Sequence, residues 1–349
     1  MAVSVDCGRE RVWKRGTSAR AGSVLVLALW TLFFLSALAV AVNARVNGLM
    51  RFTRALRDDR AAYEAARAGA DHALMALAEL PAEWDGLMND EARFRDVSVD
   101  DARFSVIYRT PLADGSMAIG YGVIGEESKV NVNKAGRELL AALLRGAGGL
   151  DSGAADTLAR RILAERGEPD TELTNGASAH YYGDPIQGRD REIGPFASLH
   201  ELLLVPGMSP DTFERVRHYA TLYGTGKINV NAAPRAVLLA LADSSRAGDA
   251  AARESLVRRL IRFREAGQAF ETASETGIRK ALEQGGALSA GERTVLRAML
   301  AGATLQSSHF SGEAQGWTGA LDTEEGRAMR RIAFVLDRQR MARVDWHEQ

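Results

Sequence analysis

The run Ser23-Val-Leu-Val-Leu-Ala-Leu-Trp-Thr-Leu-Phe-Phe-Leu-Ser-Ala-Leu-Ala-Val-Ala-Val42 contains no charged residue. As a helix rising 1.5 Å per residue it spans roughly 30 Å, which is the hydrocarbon thickness of a bilayer. Residues 1–22 before it are polar and basic, with Arg9, Arg11, Lys14, Arg15 and Arg20 against Asp6 and Glu10. Because basic flanks stay in the cytoplasm, the body of the chain is predicted to lie outside it.

Three interpretations of this run are open: an ordinary membrane anchor, a cleaved secretory signal and a processed prepilin helix. Ala37-Leu38-Ala39 mimics a signal-peptide cleavage site, although 20 uncharged residues is long for a signal core. Arg20-Ala21-Gly22 directly before the apolar run resembles a type IV prepilin leader. That resemblance implies cleavage after Gly22 by a prepilin peptidase, so that the mature chain begins at Ser23.

The helix is predicted to continue beyond the apolar run. Residues 43–80 contain no proline, and their apolar residues recur at three-to-four spacing, as an amphipathic helix requires. These residues are Val46, Leu49, Met50, Phe52, Leu56, Tyr63, Ala66, Ala70, Leu74 and Leu77. We therefore expect one helix over 23–80, ended by Pro81.

The remainder predicts an α+β fold whose sheet is interrupted by a helical insert. Ala102–Thr110 and Ser116–Gly125 have the β-rich composition of a hairpin, and Arg331–Arg338 and Arg340–Trp346 look like a second strand pair. The expected parts are a leader (1–22), the N-terminal helix (23–80), the first part of the α/β domain (81–134), an inserted α-helical domain (135–300) and C-terminal strands (301–349).

The insert contains a repeated signature. Lys129-Val-Asn-Val-Asn133 and Lys227-Ile-Asn-Val-Asn231 lie 98 positions apart, each before a helix-like segment. Asparagine accepts hydrogen bonds from helix N-termini, and proline suits a first helical turn. The asparagines are therefore expected to cap the two helices, with Pro234 in the first turn of the second.

Pro195–Val216, with Pro206-Gly207 at its centre, predicts helix, tight turn, helix. It resembles the helix-hairpin-helix module, and a similar hairpin is expected around Phe270–Leu300. In nucleic-acid-binding examples free hairpin amides face a phosphate, whereas here Pro210 removes one amide and Asp211 adds a carboxylate. Packing or docking is favoured. A membrane-anchored nucleic-acid-binding protein of the DNA-uptake type is the alternative function.

The composition argues against an enzyme. Cys7 is the single cysteine, the six histidines are scattered without a His-Glu-x-x-His motif, and no nucleophile elbow occurs. Lys+Arg (44) and Asp+Glu (45) nearly cancel, so no global field recruits nucleic acid. No catalytic residue is predicted.

Taken in order, these landmarks, with Pro195-Phe-Ala-Ser-Leu-His-Glu-Leu-Leu-Leu-Val-Pro-Gly-Met208 and Arg330-Arg-Ile-Ala-Phe-Val-Leu-Asp-Arg338, resemble the protein K family, minor pseudopilins of type II secretion systems. The resemblance implies a pseudopilin fold and a subunit at the pseudopilus tip that nucleates assembly for protein export across the outer membrane. Implied partners are minor pseudopilins of the I, J and H types, the major pseudopilin, prepilin peptidase, exported substrate and the outer-membrane secretin. The chain would be a single-pass inner-membrane protein with a periplasmic C-terminal domain and a methylated N-terminus.

Two positions bear on this resemblance. Most pseudopilins carry a glutamate five residues after the cut, and this chain has Leu27 there; members of the protein K family typically lack that glutamate. Relatives also hold calcium through an acidic loop with a Gly-Ala-Glu-Asp run before a pair of tyrosines, where this chain has Gly176-Ala-Ser-Ala179 before Tyr181-Tyr182 and so lacks both carboxylates. Calcium prefers six to eight oxygen ligands, and only Asp170, Glu172 and Asp184 remain as candidates, so no cofactor is predicted.

Overall fold

A computed structural model describes residues 19–79, 87–112, 116–167, 194–319 and 328–348. Its contacts divide the chain into two units, Met1–Arg57 and Asp58–Gln349. The first consists, in its described part, of the beginning of helix α1 (Ala19–Glu79). The second contains the remainder of that helix, a sheet and a helical insert.

Helix α1 confirms the predicted long N-terminal helix and ends one residue before Leu80. The predicted apolar stripe changes role along it. Val46 to Leu56 are exposed, whereas burial begins at Ala62 and continues through Ala66, Ala70 and Leu77. The covered half is therefore built largely from alanine, which lets the helix backbone come close to the strands beneath it.

Within the described residues the sheet has seven strands in the order β1-β4-β3-β9-β10-β11, with β2 paired to β3. Their bounds are β1 Leu87–Asn89, β2 Val97–Val99, β3 Ala102–Pro111, β4 Met117–Gly125, β9 His309–Thr318, β10 Met329–Asp337 and β11 Ala342–Glu348. A short helix, α2 (Glu91–Phe94), lies between β1 and β2. Every pairing in this sheet is antiparallel. The predicted hairpin β3–β4 and the C-terminal pair β10–β11 are both confirmed.

The strand that joins the two pairs was not predicted. β9 hydrogen-bonds to β3 on one side and to β10 on the other, which makes it a central strand. Its sequence, His-Phe-Ser-Gly-Glu-Ala-Gln-Gly-Trp-Thr, contains two glycines and few β-branched residues, so intrinsic propensity does not reveal it. Gly316 is explained by helix α1, which lies against this part of the sheet, and Gly312 by the ring of Phe334 on β10, which a Cβ would approach to 2.9 Å.

The insert consists of two copies of one unit. The first copy runs through β5 (Val130–Asn131), α3 (Arg137–Gly146), α4 (Ser152–Glu165), a 3₁₀ helix (Leu199–Leu204), α5 (Pro210–Val216), a further 3₁₀ turn (Arg217–Tyr219) and β6 (Ala220–Thr221). The second runs through β7 (Ile228–Asn229), α6 (Arg235–Ser244), α7 (Ala250–Glu265), α8 (Glu275–Glu283), α9 (Ala290–Met299), a 3₁₀ turn (Leu300–Gly302) and β8 (Ala303–Thr304). In each copy the first strand pairs in parallel with the last, Val130 with Ala220 and Ile228 with Ala303. Each unit is thereby closed on itself.

The two predicted hairpins are present, with one difference. Residues Leu199–Leu204 form a 3₁₀ helix rather than an α-helix. A capping box from Ser198 and Glu201 fixes its start, and Pro206 follows so soon that no α-helical ladder can develop. The second hairpin, α8 and α9, is α-helical in both arms.

The asparagine caps were a wrong prediction. Gly136 and Pro234 occupy the N-cap positions of α3 and α6, and neither helix has a side-chain cap. Asn131 Oδ1 instead accepts from the Asn133 amide at 2.9 Å, and Asn229 Oδ1 accepts from the Asn231 amide at 2.9 Å. The asparagines therefore fold the turn after each strand, which is the other common use of a short amide side chain.

Two hydrophobic cores hold the second unit together. One lies between the covered half of α1 and the sheet and includes Ala70, Phe104, Phe310 and Phe334. The other fills the insert, and its buried residues come from both copies. α3 and α6, the equivalent helices of the two copies, contact one another directly, so the copies share one core.

Candidate functional site

Two regions bear on function: the exposed part of α1, and the junction at which the chain passes between sheet and insert. The predicted processing position, Gly22 and Ser23, lies within α1, and the described side chains begin at Val24. Cleavage after Gly22 stays a prediction.

The exposed part of α1 has the length and composition of a membrane span, with a mean hydropathy of 2.5 over its most apolar window and none of that window buried. Its large side chains are more than half exposed, for example Leu27 at 69% and Phe34 at 63%. In water such a surface would be strongly unfavourable, since burial of each large apolar side chain contributes about 1.5–3 kcal/mol. A bilayer or apolar helices of other subunits must therefore cover it.

At the junction, two adjacent carboxylates tie the insert to the sheet. Glu126 is 3% exposed; it is paired with Lys129 at 2.6 Å and accepts hydrogen bonds from the hydroxyls of Thr221 in the insert and Ser311 in the sheet. Burial raises the pKa of Glu126, but Lys129 and the two hydroxyls outweigh it and hold that pKa below its usual range. The carboxylate is therefore kept charged where both segments meet.

Glu127, the adjacent residue, also joins the insert to the sheet through its hydrogen bonds. Its Oε1 accepts from the amide of Thr225 at 3.2 Å and from the amide and hydroxyl of Ser308 at 3.2 and 2.6 Å. Gly224, with φ of +90°, lies so close that a Cβ there would be 2.9 Å from Glu127 Cδ. Glycine is needed here both for the left-handed backbone and for the space.

Ser308, His309 and Asp337 lie close together beside the junction between sheet and insert, but they do not form an activated nucleophile. Ser308 donates its single hydroxyl hydrogen to Glu127, so the 2.8 Å contact with His309 Nδ1 requires the imidazole to be the donor. A general base would have to accept at that atom. His309 Nε2 and Asp337 Oδ2 are 4.0 Å apart, too far for a hydrogen bond.

A cleft of about 460 Å³ lies between the sheet and the first copy of the insert. Its charged lining has both signs: Arg109, Lys129 and Arg217 against Glu126, Glu313 and Asp345. Most of these charges are used within the chain, since Glu313 pairs with Arg109 and Tyr223 hydrogen-bonds to Asp345. Burial, and after it this hydrogen bond, raise the pKa of Tyr223. The cleft is therefore lined by charges that already have partners within the chain, which does not favour a charged substrate site.

The hairpins are held by arginines in a way that argues against phosphate binding. Arg161 of α4 donates to the carbonyl of Pro206 at 2.7 Å. The equivalent residue of the second copy, Arg259 of α7, donates to the carbonyls of Gly286 and Ala287 at 2.7 and 3.1 Å. A phosphate site needs these cations and the turn amides to point at the ligand. Here the arginines fasten each hairpin to its own unit.

The candidate calcium ligands Asp170, Glu172 and Asp184 lie in 168–193, outside the described residues. Among the residues that the structure does describe, no group of three or more His, Cys, Asp or Glu side chains is arranged to hold a metal ion.

An apolar N-terminal helix whose second half packs on an antiparallel sheet, with a large helical insert between the strands, is the architecture of a minor pseudopilin. Comparison with known proteins supports that class. Residues 119–225 match the family model described as type II secretion system (T2SS), protein K. No match was found among the curated proteins.

A solved structure has the same fold. It is a chain of the crystal structure of the GspK-GspI-GspJ complex from the enterotoxigenic Escherichia coli type 2 secretion system. The match has a TM-score of 0.52 and 13% sequence identity, and it covers 87% of this chain and 99% of that one. The family match and this fold together confirm the resemblance to type II secretion protein K that the sequence indicated, and they confirm the predicted α+β class.

Proposed function

We propose that this chain is the minor pseudopilin that begins a type II pseudopilus. It would be anchored in the inner membrane by α1 with its second unit in the periplasm, and it would assemble at the tip with I-type and J-type minor pseudopilins. The fold supports this, because the similar chain was solved in a complex of GspK, GspI and GspJ. H-type and major pseudopilins would follow below it, and exported substrate and secretin would be contacted from the tip.

Leu27 is the observation that carries the tip position. If the chain is cut after Gly22, Leu27 is the fifth residue, and residues 23–57 contain no Asp or Glu at all. A subunit with another above it benefits from a carboxylate that pairs with the neighbour's amino terminus. The first subunit has no such neighbour, and an unpaired glutamate in hydrocarbon would cost about 2.5–3.5 kcal/mol. Leucine is favourable at the same depth.

The position in the filament can be tested by labelling. A small epitope placed after Glu348 in the full-length chain would be detected with gold-conjugated antibody on isolated pseudopili. We expect one label per filament, always at the same end. Labels distributed along the filament would contradict the tip position while leaving membership of the pseudopilus intact.

Nucleation needs a separate experiment. Pseudopili would be counted in cells that lack this chain and in cells that carry Leu27→Glu, with Leu25→Glu as a control for charge alone at another exposed position of the span. Loss of the chain is expected to reduce the number of filaments rather than their length. Unchanged filament numbers would contradict a nucleating role.

A further inference from the structure

The part of α1 directly after the apolar run carries a concentrated positive charge. Between Asn43 and Arg57 there are four arginines, Arg45, Arg51, Arg54 and Arg57, and no acidic residue. Every residue of this segment is exposed. The basic leader on the other side of the span is expected from the positive-inside rule, whereas a second basic flank on the outer side is not.

Three of these four arginines are not neutralised within the described part of the chain. No ion pair there involves Arg45, Arg51 or Arg54. One of the first acidic residues after the segment, Asp59, accepts hydrogen bonds from two guanidinium nitrogens of Arg330 of β10, Nε and Nη2, at 2.7 and 2.8 Å. The guanidinium groups of these three arginines are therefore free to bind an anionic ligand from outside the chain.

The depth of the arginines identifies the ligand. Arg45 is three residues beyond Val42, and Arg51 is nine residues beyond it, which is about 4.5 Å and 13.5 Å along a helix. The headgroup layer occupies about 5–8 Å on each side of the hydrocarbon. Helical side chains lean toward the N-terminus, which here is toward the bilayer, and arginine stems extend so that their charge reaches polar surroundings. Both guanidinium groups can thus reach the headgroup phosphates.

The arrangement around the helix favours lipid over a protein partner. Arg51 is six positions after Arg45, so the two side chains point about 120° apart around the axis. A single neighbouring helix would cover only one of these directions. A layer of headgroups surrounds the helix and can bind both.

We propose that Arg45 and Arg51 form a binding site for the phosphates of anionic phospholipids at the outer end of the membrane span. Arg54, about 18 Å beyond Val42, acts only through its field, since it lies beyond the headgroup layer. The site anchors the helix at a fixed depth until the subunit is drawn out of the bilayer. The inference rests on the proposed membrane anchor and is independent of the tip position.

The test uses the full-length chain reconstituted in phosphatidylcholine bilayers that contain trace spin-labelled lipid. The fraction of lipid immobilised by the protein is compared for phosphatidylglycerol and phosphatidylcholine labels. We expect a preference for phosphatidylglycerol that falls about fivefold in Arg45→Gln, because each arginine near the surface contributes roughly that factor. Arg51→Gln should have a smaller effect and Arg54→Gln the smallest. The preference of the unaltered chain should fall as salt rises.

The matched control is Arg340→Gln, which removes an arginine that is 83% exposed in the turn between β10 and β11. It should leave the lipid preference unchanged. An unchanged preference in Arg45→Gln/Arg51→Gln would overturn the proposal. So would loss of binding to other minor pseudopilins in these variants with lipid preference intact, because the arginines would then serve a protein surface. Failure of the anchor itself is distinguishable, since the chain would not enter the bilayer at all.

Discussion

Gly316 of β9 faces Ala62 of α1 so closely that a Cβ on Gly316 would lie 2.1 Å from the carbonyl oxygen of Ala62 and 2.3 Å from the amide nitrogen of Ala66. Helix backbone and strand backbone are therefore in contact, with no side chain between them. One turn further along, a Cβ on Gly69 would lie 2.9 Å from Phe104 and 3.3 Å from Ala314. The close packing of α1 on the sheet depends on small residues from both elements.

Gly316→Ala should therefore destabilise the second unit. The added methyl group meets backbone atoms that cannot rotate away, and overpacking of this kind costs about 1–3 kcal/mol or more. We expect the upper part of that range in urea unfolding followed by circular dichroism. Gly146→Ala is the control, since a Cβ at the end of α3 would meet nothing within 4 Å and alanine favours a helix. Equal stability of the two variants would show that α1 does not approach the sheet this closely.

The Glu126–Lys129 pair predicts a specific dependence of stability on pH. The pKa of Glu126 is lowered in the folded chain, so its contribution is complete above the ordinary glutamate pKa and is lost as pH falls through the lowered value. Glu126→Gln leaves Lys129 without its partner and should cost about 3 kcal/mol at pH 7.

The measurement is the free energy of unfolding of both proteins between pH 7 and pH 3. The difference between them should shrink below about pH 4.5, where Glu126 of the unfolded chain takes up a proton. Glu138→Gln, at a carboxylate that is 41% exposed, is the control and should change little. A constant difference across this range would contradict the charged junction.

The second asparagine of each repeat makes two hydrogen bonds with the backbone of one phenylalanine. Asn231 donates to the Phe270 carbonyl and accepts from its amide, both at 2.9 Å, and Asn133 makes the same pair of bonds with Phe196 at 2.9 and 2.8 Å. Asn231→Ala should cost about 2–3 kcal/mol, because two buried backbone groups lose their partner. Asn133→Ala should cost less, since that site is only partly buried.

Asn231→Asp keeps the oxygen that accepts from the Phe270 amide. It replaces the amide group that donates to the Phe270 carbonyl by a carboxylate oxygen, which that carbonyl repels. We expect it to be at least as destabilising as alanine at neutral pH and less so when protonated. Full stability of the aspartate variant at pH 7 would show that the bond to the Phe270 carbonyl is not formed.

The arginines that are hydrogen-bonded to each hairpin predict that the hairpins do not bind DNA. Because Arg161 and Arg259 are hydrogen-bonded to hairpin carbonyls, the full-length chain in detergent should show no salt-dependent binding of duplex DNA by fluorescence anisotropy. Arg259→Gln should lower stability by about 1–3 kcal/mol instead, through the two carbonyls that lose a donor. Affinity that weakens steeply with salt and is lost in Arg161→Gln would support the DNA-uptake alternative.

The processing site has its own prediction. The mature chain should begin at Ser23 and carry a methyl group on its amino terminus, as measured by intact and N-terminal peptide mass spectrometry. Gly22→Leu should block cleavage and leave the leader attached, whereas Gly48→Leu, at a position with nothing near its Cβ, should be processed normally. A native first residue beyond Val42 would show that the apolar run is a cleaved signal.

Local patterns in the sequence were sufficient for much of the fold. The uncharged run and the proline-free segment after it predicted α1, and runs of β-rich composition predicted the β3–β4 and β10–β11 pairs. The 98-residue offset of the two Asn-Val-Asn signatures revealed the repeat. The equivalent arginines, Arg161 with Arg259 and Arg166 with Arg264, keep the same offset and could have extended it. Arg166 donates to the Val132 carbonyl and Arg264 to the Val230 carbonyl.

The errors arose where a residue's role depends on a distant segment. Asn131 and Asn229 can cap a helix or fold a turn with equal local chemistry, and their amide groups reach Tyr223 and Ser307, 92 and 78 residues away. Glu126 and Glu127 gave no motif at all, because their partners Thr221, Ser308 and Ser311 are remote in sequence.

The amino-acid sequence by itself determined that this chain carries a membrane-length helix, two pairs of strands and a helical insert with a repeated signature, because each follows from local composition and spacing or from a repeat within the sequence. Only the tertiary structure decided that glycine-rich β9 is the centre of the sheet and that buried carboxylates join sheet to insert. The physical reason is that a central strand with glycines is stabilised by the helix pressed against it, and a buried charge by partners brought from elsewhere in the chain.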